Sequence, residues 1–138
     1  MGRLIAVLLC AGLVWVGHPS GSANSAKPEG TWMVGNRVAI AVFDCGNAVC
    51  GRIVWLRNPA LRTGEMCGRT IVWGLVSDGP ARWSNGWFFD PENRSTYNLS
   101  AELQSPDVIT ARIYKGVSLF GRTEILNRIR PRSLEGWC

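Results

Sequence analysis

The sequence holds one histidine, His18, and it lies in a segment expected to be removed. The domain that remains has none. That excludes Ser-His and Cys-His nucleophile pairs, histidine-ligated metals and the usual general base near neutral pH. No glycine-rich phosphate loop occurs. The apolar run from Leu4 to Val16 is 13 residues, short of the about 20 that a spanning helix requires. Nowhere does a sustained 3.6-residue apolar stripe develop, so no amphipathic helix is expected.

The short apolar run has another explanation. Arg3 precedes it, His18-Pro19-Ser20-Gly21 breaks it, and the small residues Gly21, Ser22 and Ala23 follow. This is the layout of a secretory signal peptide, residues 1–23, with cleavage after Ala26 as the alternative. Cys10 sits in mid-run after Leu9 and is a poor lipid-attachment site. The mature chain, 24–138, is then expected outside the cytoplasm, periplasmic or secreted, without a transmembrane anchor. Once Arg3 leaves, 14 basic residues stand against 10 acidic ones, a net charge of +4. Such an excess suits an anionic neighbour such as a membrane surface, and equally plain solubility.

Four cysteines remain in the mature chain, Cys45, Cys50, Cys67 and Cys138, and an even number in an exported protein reads as two disulfides. Gly46-Asn47-Ala48-Val49 is a turn between two strand-like runs, so Cys45 and Cys50 should face each other across a hairpin mouth. Cys67 is left to hold the terminal Cys138. A zinc site is the rival, but the spacing matches neither ribbon nor finger patterns.

Eight strand-like runs lie between turn signals: Gly30 to Val34, Arg37 to Asp44, Gly51 to Leu56, Arg69 to Val76, Arg82 to Asp90, Ser95 to Leu103, Val108 to Lys115 and Ser118 to Arg128. Short connections force antiparallel pairing. An eight-stranded meander hides its edges best by closing, so the expected fold is all-β, one closed up-and-down barrel. The longest connection, Arg57 to Gly68, reads as a strap anchored through Cys67. Tyr97, Leu99, Ala101 and Leu103 alternate with polar residues, as do Ile109, Ala111 and Ile113, and these sets should point inward. Arg37 to Phe43 is apolar on both faces and has no evident orientation.

Several of these residues also carry a resemblance. Gly30-Thr31-Trp32, the block Asp44-Cys45-Gly46 to Cys50-Gly51-Arg52-Ile53-Val54-Trp55-Leu56, Trp83 with Gly86, Asp90-Pro91, Tyr97 and Leu119-Phe120-Gly121-Arg122-Thr123-Glu124 together resemble domain-of-unknown-function family 2147, a group of small bacterial exported proteins. The resemblance covers nearly all of the mature chain and implies a lipocalin-like barrel without a stated activity. The strap is shorter than the commoner pattern, and Cys67 and Cys138 are additions, so a shared loop-borne site does not carry over. Gly-x-Trp is similar to the first lipocalin motif, in which a basic residue of the last strand covers a buried Trp; Arg128 or Arg130 would take that role.

Catalytic candidates have plainer explanations. Asp90 and Glu92 flank a turn proline and read as caps, Glu102 and Glu124 as exterior partners of arginines, and Lys115 as a turn lysine. No enzyme, cofactor, metal or nucleic-acid partner is expected. A small apolar or amphipathic ligand inside the barrel would meet Tyr97, Leu99, Ile109 and Ile113, with Trp83 and Trp87 at a mouth or an exposed face. The alternative is a solidly packed barrel that meets an envelope component through its outer surface. The volume of the interior separates the two: a few hundred Å³ suits a ligand and a filled core suits the second reading. The tail Arg128-Ile129-Arg130-Pro131-Arg132 offers a basic stretch for anionic lipid or for plain solvation.

Overall fold

The computed structural model describes residues 14–17, 27–130 and 138. The rest of the expected leader lies outside the described residues, as do Arg132 and Trp137. Eight strands follow in chain order: β1 (Gly30–Val34), β2 (Val38–Asp44), β3 (Val49–Leu56), β4 (Thr70–Ser77), β5 (Arg82–Asp90), β6 (Ser95–Ser105), β7 (Val108–Tyr114) and β8 (Arg122–Ile129). Each pairs with its sequence neighbours, and β8 returns antiparallel to β1 to close the barrel. The expected fold class is the observed one.

The boundaries differ in instructive places. Ser118–Phe120 is a 3₁₀ turn and β8 begins only at Arg122, although the sequence reads as a strand from Ser118. Arg112 on β7 accounts for this: its Nε donates to Ser118 O at 2.9 Å and its Nη2 to Leu119 O at 3.0 Å, occupying carbonyls that a ladder would use. β3 starts two residues earlier than expected, which places Cys50 inside the strand. The ambiguous β2 resolves through pairing. Ile40 lies opposite the fully buried Trp32 and Val42 lines the lumen, while Phe43 faces out beneath Arg52, 5.3 Å from its guanidinium carbon.

Inward residues follow the period-two pattern of β6 and β7. Leu99, Leu103, Ile109, Ala111 and Ile113 are all buried, and Tyr97 and Ala101 pack against them partly buried. Burying one such aliphatic side chain stabilises by about 1.5–3 kcal/mol. Both disulfides form as expected. Cys45 and Cys50 are joined at 2.03 Å across the β2–β3 hairpin. Cys67 in the strap is joined to Cys138, with Cα atoms 5.1 Å apart, and Cys138 N donates to Val54 O at 3.1 Å.

The barrel therefore has two distinct ends. One carries residues 27–29 and the β2–β3, β4–β5 and β6–β7 connections. The other carries the β1–β2 turn, the strap 57–69, the β5–β6 turn and the β7–β8 loop. Among the described residues no helix is long and apolar enough to cross a membrane.

Candidate functional site

The lumen is the first place to look for a site, since an eight-stranded barrel is just wide enough to be filled by side chains or to hold one small ligand. Val34, Val72, Leu75, Phe88, Leu99 and Ile113 are among the side chains around a central cavity of about 60 Å³. An engineered apolar cavity that takes benzene is roughly 150 Å³, and pockets for drug-sized ligands begin near 300 Å³. By either measure this lumen is nearly full. Gly86 shows how the filling works. A Cβ there would lie 2.6 Å from Leu75 Cδ2, so the missing side chain on β5 makes room for the leucine of β4.

The end where β1 begins is sealed by packing and mainly by neutral acceptors, the one charged partner among the described residues being the exposed Asp107, whose Oδ1 lies 3.7 Å from Arg128 Nε. Trp32 is fully buried and its Nε1 donates to Pro28 O at 2.8 Å. The Arg128 guanidinium lies over its ring at 4.2 Å. Arg128 also donates to Lys27 O at 2.9 Å, Glu29 O at 2.6 Å and Pro106 O at 2.7 Å. The register explains the contact, because Arg128 sits directly opposite Trp32 in the β1–β8 ladder.

The opposite end is held by charge. Arg122 reaches Asp90 Oδ2 and Glu124 Oε1, each at 3.3 Å, and Arg37 reaches Glu124 Oε1 at 3.0 Å and Glu92 Oε2 at 3.1 Å. Three carboxylates and two guanidiniums thus tie β5, β8 and two turns together. Beside them Tyr97 Oη accepts from Asn93 Nδ2 at 2.8 Å, and its ring lies 5.0 Å from Lys115 Nζ and 5.1 Å from the Arg122 guanidinium carbon. The Asn93 hydrogen bond, joined by Arg122 and Lys115, outweighs burial and holds the phenol below its ordinary pKa. The strap inserts Met66 into the core, only 2% exposed. Glu65 holds the strap to the β5–β6 turn through Arg94 at 3.0 Å and to its own end through Arg69 at 3.1 Å.

The residues expected to meet a ligand are only partly brought together. Trp83, Leu99, Ile109 and Ile113 line the cavity. Tyr97 faces inward but stands at the charged end, its ring 6.5 Å from that of Phe88. Trp87 is directed outward, 43% exposed and directly opposite Trp73 on β4. Trp83 and Trp87 separate because the β5–β6 register shifts between Trp83 and Gly86, and one extra residue turns every later side chain to the other face.

Glu124 requires a correction. The sequence pattern makes it an exterior partner of arginines, and arginines are its partners, yet it projects inward with a side chain 18% exposed. Its register position opposite the buried Ala111 dictates this. The alternation Glu124, Leu126, Arg128 on β8 was the available signal, hidden because two of the three inward residues are charged. Asp90 does cap its turn, accepting from Glu92 N at 2.9 Å, but it is also a buried member of the ion-pair cluster.

A closed eight-stranded antiparallel barrel, with a buried Trp on its first strand covered by an Arg from its last, is a lipocalin-like barrel. In agreement, the chain is similar in structure to the protein described as "Protein HP1028 from the human pathogen Helicobacter pylori belongs to the lipocalin family". The TM-score is 0.65 at 11% identity, over 78% of this chain and 86% of that one. No curated protein matches the sequence. The family model described as "Uncharacterized protein conserved in bacteria (DUF2147)" matches residues 30–128, and the chain belongs to that family.

Proposed function

We propose that the protein is an exported, non-catalytic component of the bacterial cell envelope that works through the outside of a filled barrel. The observation that carries this is the lumen of about 60 Å³, too small for an ordinary ligand. The disulfides fit an oxidising compartment, and the leader-like N-terminus fits export. The outer surface supplies the contact residues: Trp73 and Trp87, directly opposed across β4 and β5 and each more than a third exposed. Exposed aromatic pairs are the kind of anchor that protein interfaces bury.

The apolar lining of the cavity supports a second reading, in which the barrel takes a slender apolar chain, a few methylenes wide at its present volume. One pair of measurements separates the two. Native mass spectrometry of protein purified from its own envelope fraction is expected to show the bare mature chain. Photo-crosslinking from position 87 in intact cells is expected to capture one recurring partner that Trp73→Ala weakens. A stoichiometric apolar molecule retained by the barrel, with no recurring crosslink, would overturn the proposal in favour of the second reading.

A further inference from the structure

The β7–β8 loop presents Val117, Leu119 and Phe120 to solvent at 57%, 77% and 84% exposure. These side chains are held out rather than left loose. Arg112 binds the carbonyls of Ser118 and Leu119, Phe120 N donates to Val117 O at 3.2 Å, and Gly121 N donates to Ser118 O at 3.2 Å. Gly121 lies so close to β7 that a Cβ would run into Ile113 O. Apolar surface kept in water at a fixed place marks a contact site.

Charge identifies the occupant. From Val108 to Thr123 the chain has Arg112, Lys115 and Arg122 and no acidic residue. Arg122 is shared with Asp90 and Glu124, whereas Arg112 holds the loop carbonyls and Lys115 lies over Tyr97, neither in an ion pair among the described residues. A recess of about 460 Å³ beside the tip is lined by Tyr97, Tyr114, Lys115, Phe120 and Arg122, so cations and phenols sit directly behind an apolar point. This is the order of chemistry met on crossing an anionic bilayer from water: phosphate, then glycerol, then acyl chain. We infer that the β7–β8 loop docks the barrel on an anionic lipid bilayer. Val117, Leu119 and Phe120 enter the acyl boundary, and Lys115 with the recess meets the phosphate headgroups. The inference rests on the reading that the outer surface carries the function, and adds a second partner to it.

The test is sedimentation of the purified mature protein with vesicles of phosphatidylcholine alone or with one-third phosphatidylglycerol. Binding is expected to be about tenfold or more tighter on the anionic vesicles and to weaken with salt. Leu119→Ser combined with Phe120→Ser should lower it at least about tenfold, and so should Lys115→Glu. In an otherwise unchanged chain, Phe120→Trp should add a blue-shifted emission that brominated acyl chains quench, which reads insertion without removing apolar surface. Equal binding to both vesicle types, binding indifferent to the double variant, or a soluble dimer that buries Phe120 and ignores vesicles would each overturn the inference. Failure on vesicles with an intact crosslink from position 87 would remove the bilayer and leave the proposed function standing.

Discussion

At one end of the barrel a fully buried Trp32 lies under a guanidinium that donates to three backbone carbonyls; at the other, Arg37 and Arg122 are shared among Asp90, Glu92 and Glu124. The first arrangement depends on shape and on carbonyl acceptors whose charge does not change, with one long, exposed ion pair to Asp107 at 3.7 Å beside them. The second depends on ionisation and on separations that salt screens, although partial burial of Asp90 and Glu124 protects them to a degree. Closure of a small barrel can thus be permanent at one end and conditional at the other. The exposed β7–β8 loop belongs to the conditional end.

The largest expected effect lies at the permanent end. Trp32→Ala removes the biggest fully buried side chain and leaves Arg128 without its ring, and should cost about 3–5 kcal/mol in urea unfolding. A loss below about 1 kcal/mol would show that the ring is not what seals this end. Next comes the tether of the strap. Replacing Cys67 and Cys138 together by Ser opens a loop with a sequence separation of 71 and should cost about 2–4 kcal/mol under non-reducing conditions, the mechanism being model-dependent. Proteolysis is expected to find the strap first.

Glu124→Gln probes the conditional end. It weakens the carboxylate shared by two guanidiniums, and a loss of about 1–2 kcal/mol is expected, shrinking in high salt. Arg128→Gln at the opposite end should show less salt dependence, because it loses only the exposed 3.7 Å pair with Asp107, and equal salt slopes for the two variants would erase the distinction between the ends. Acidity provides a smaller probe. The Arg94 hydrogen bond and charge, outweighing desolvation and helped by Arg69, hold the Glu65 carboxyl below its ordinary value of 4.5. A depressed acid contributes stability above its unfolded value and loses it as pH falls through the folded one. The stability curve should therefore fall slightly less steeply on the acid side in Glu65→Gln than in the native protein.

The smallest effect is spectroscopic. Tyr97 should give its phenolate absorbance below 10.0, seen as the difference between native and Tyr97→Phe titrations. Asn93→Ala should move that transition upward. Because the folded value is depressed, the linked stability is present above 10.0 and lost as pH falls through the lowered value, so it is silent at neutral pH.

Much of this molecule was legible without coordinates. Turn residues and period-two alternation are local properties, and they mark eight strands, the inward faces of β6 and β7 and the hairpin that joins Cys45 to Cys50. An even cysteine count behind a leader-like N-terminus points to two disulfides, and the resemblance of Gly30-Thr31-Trp32 to the first lipocalin motif implies a covering arginine, Arg128 or Arg130, at the end of the last strand. What stayed hidden depends on register between strands. The shift between Trp83 and Gly86 sends Trp87 outward, and the pairing of Glu124 with Ala111 sends a carboxylate inward. Neither follows from local pattern, because a strand's own residues do not say which partner residue lies opposite. The interior volume is still further from the sequence: about 60 Å³ is left after Leu75 fills the space that Gly86 leaves empty, and only three-dimensional packing decides how such volumes add. Turn chemistry and periodicity determined that this chain forms an eight-stranded meander best closed into a barrel; tertiary structure decided that the barrel is full, because only packing across strands fixes how side-chain volumes add.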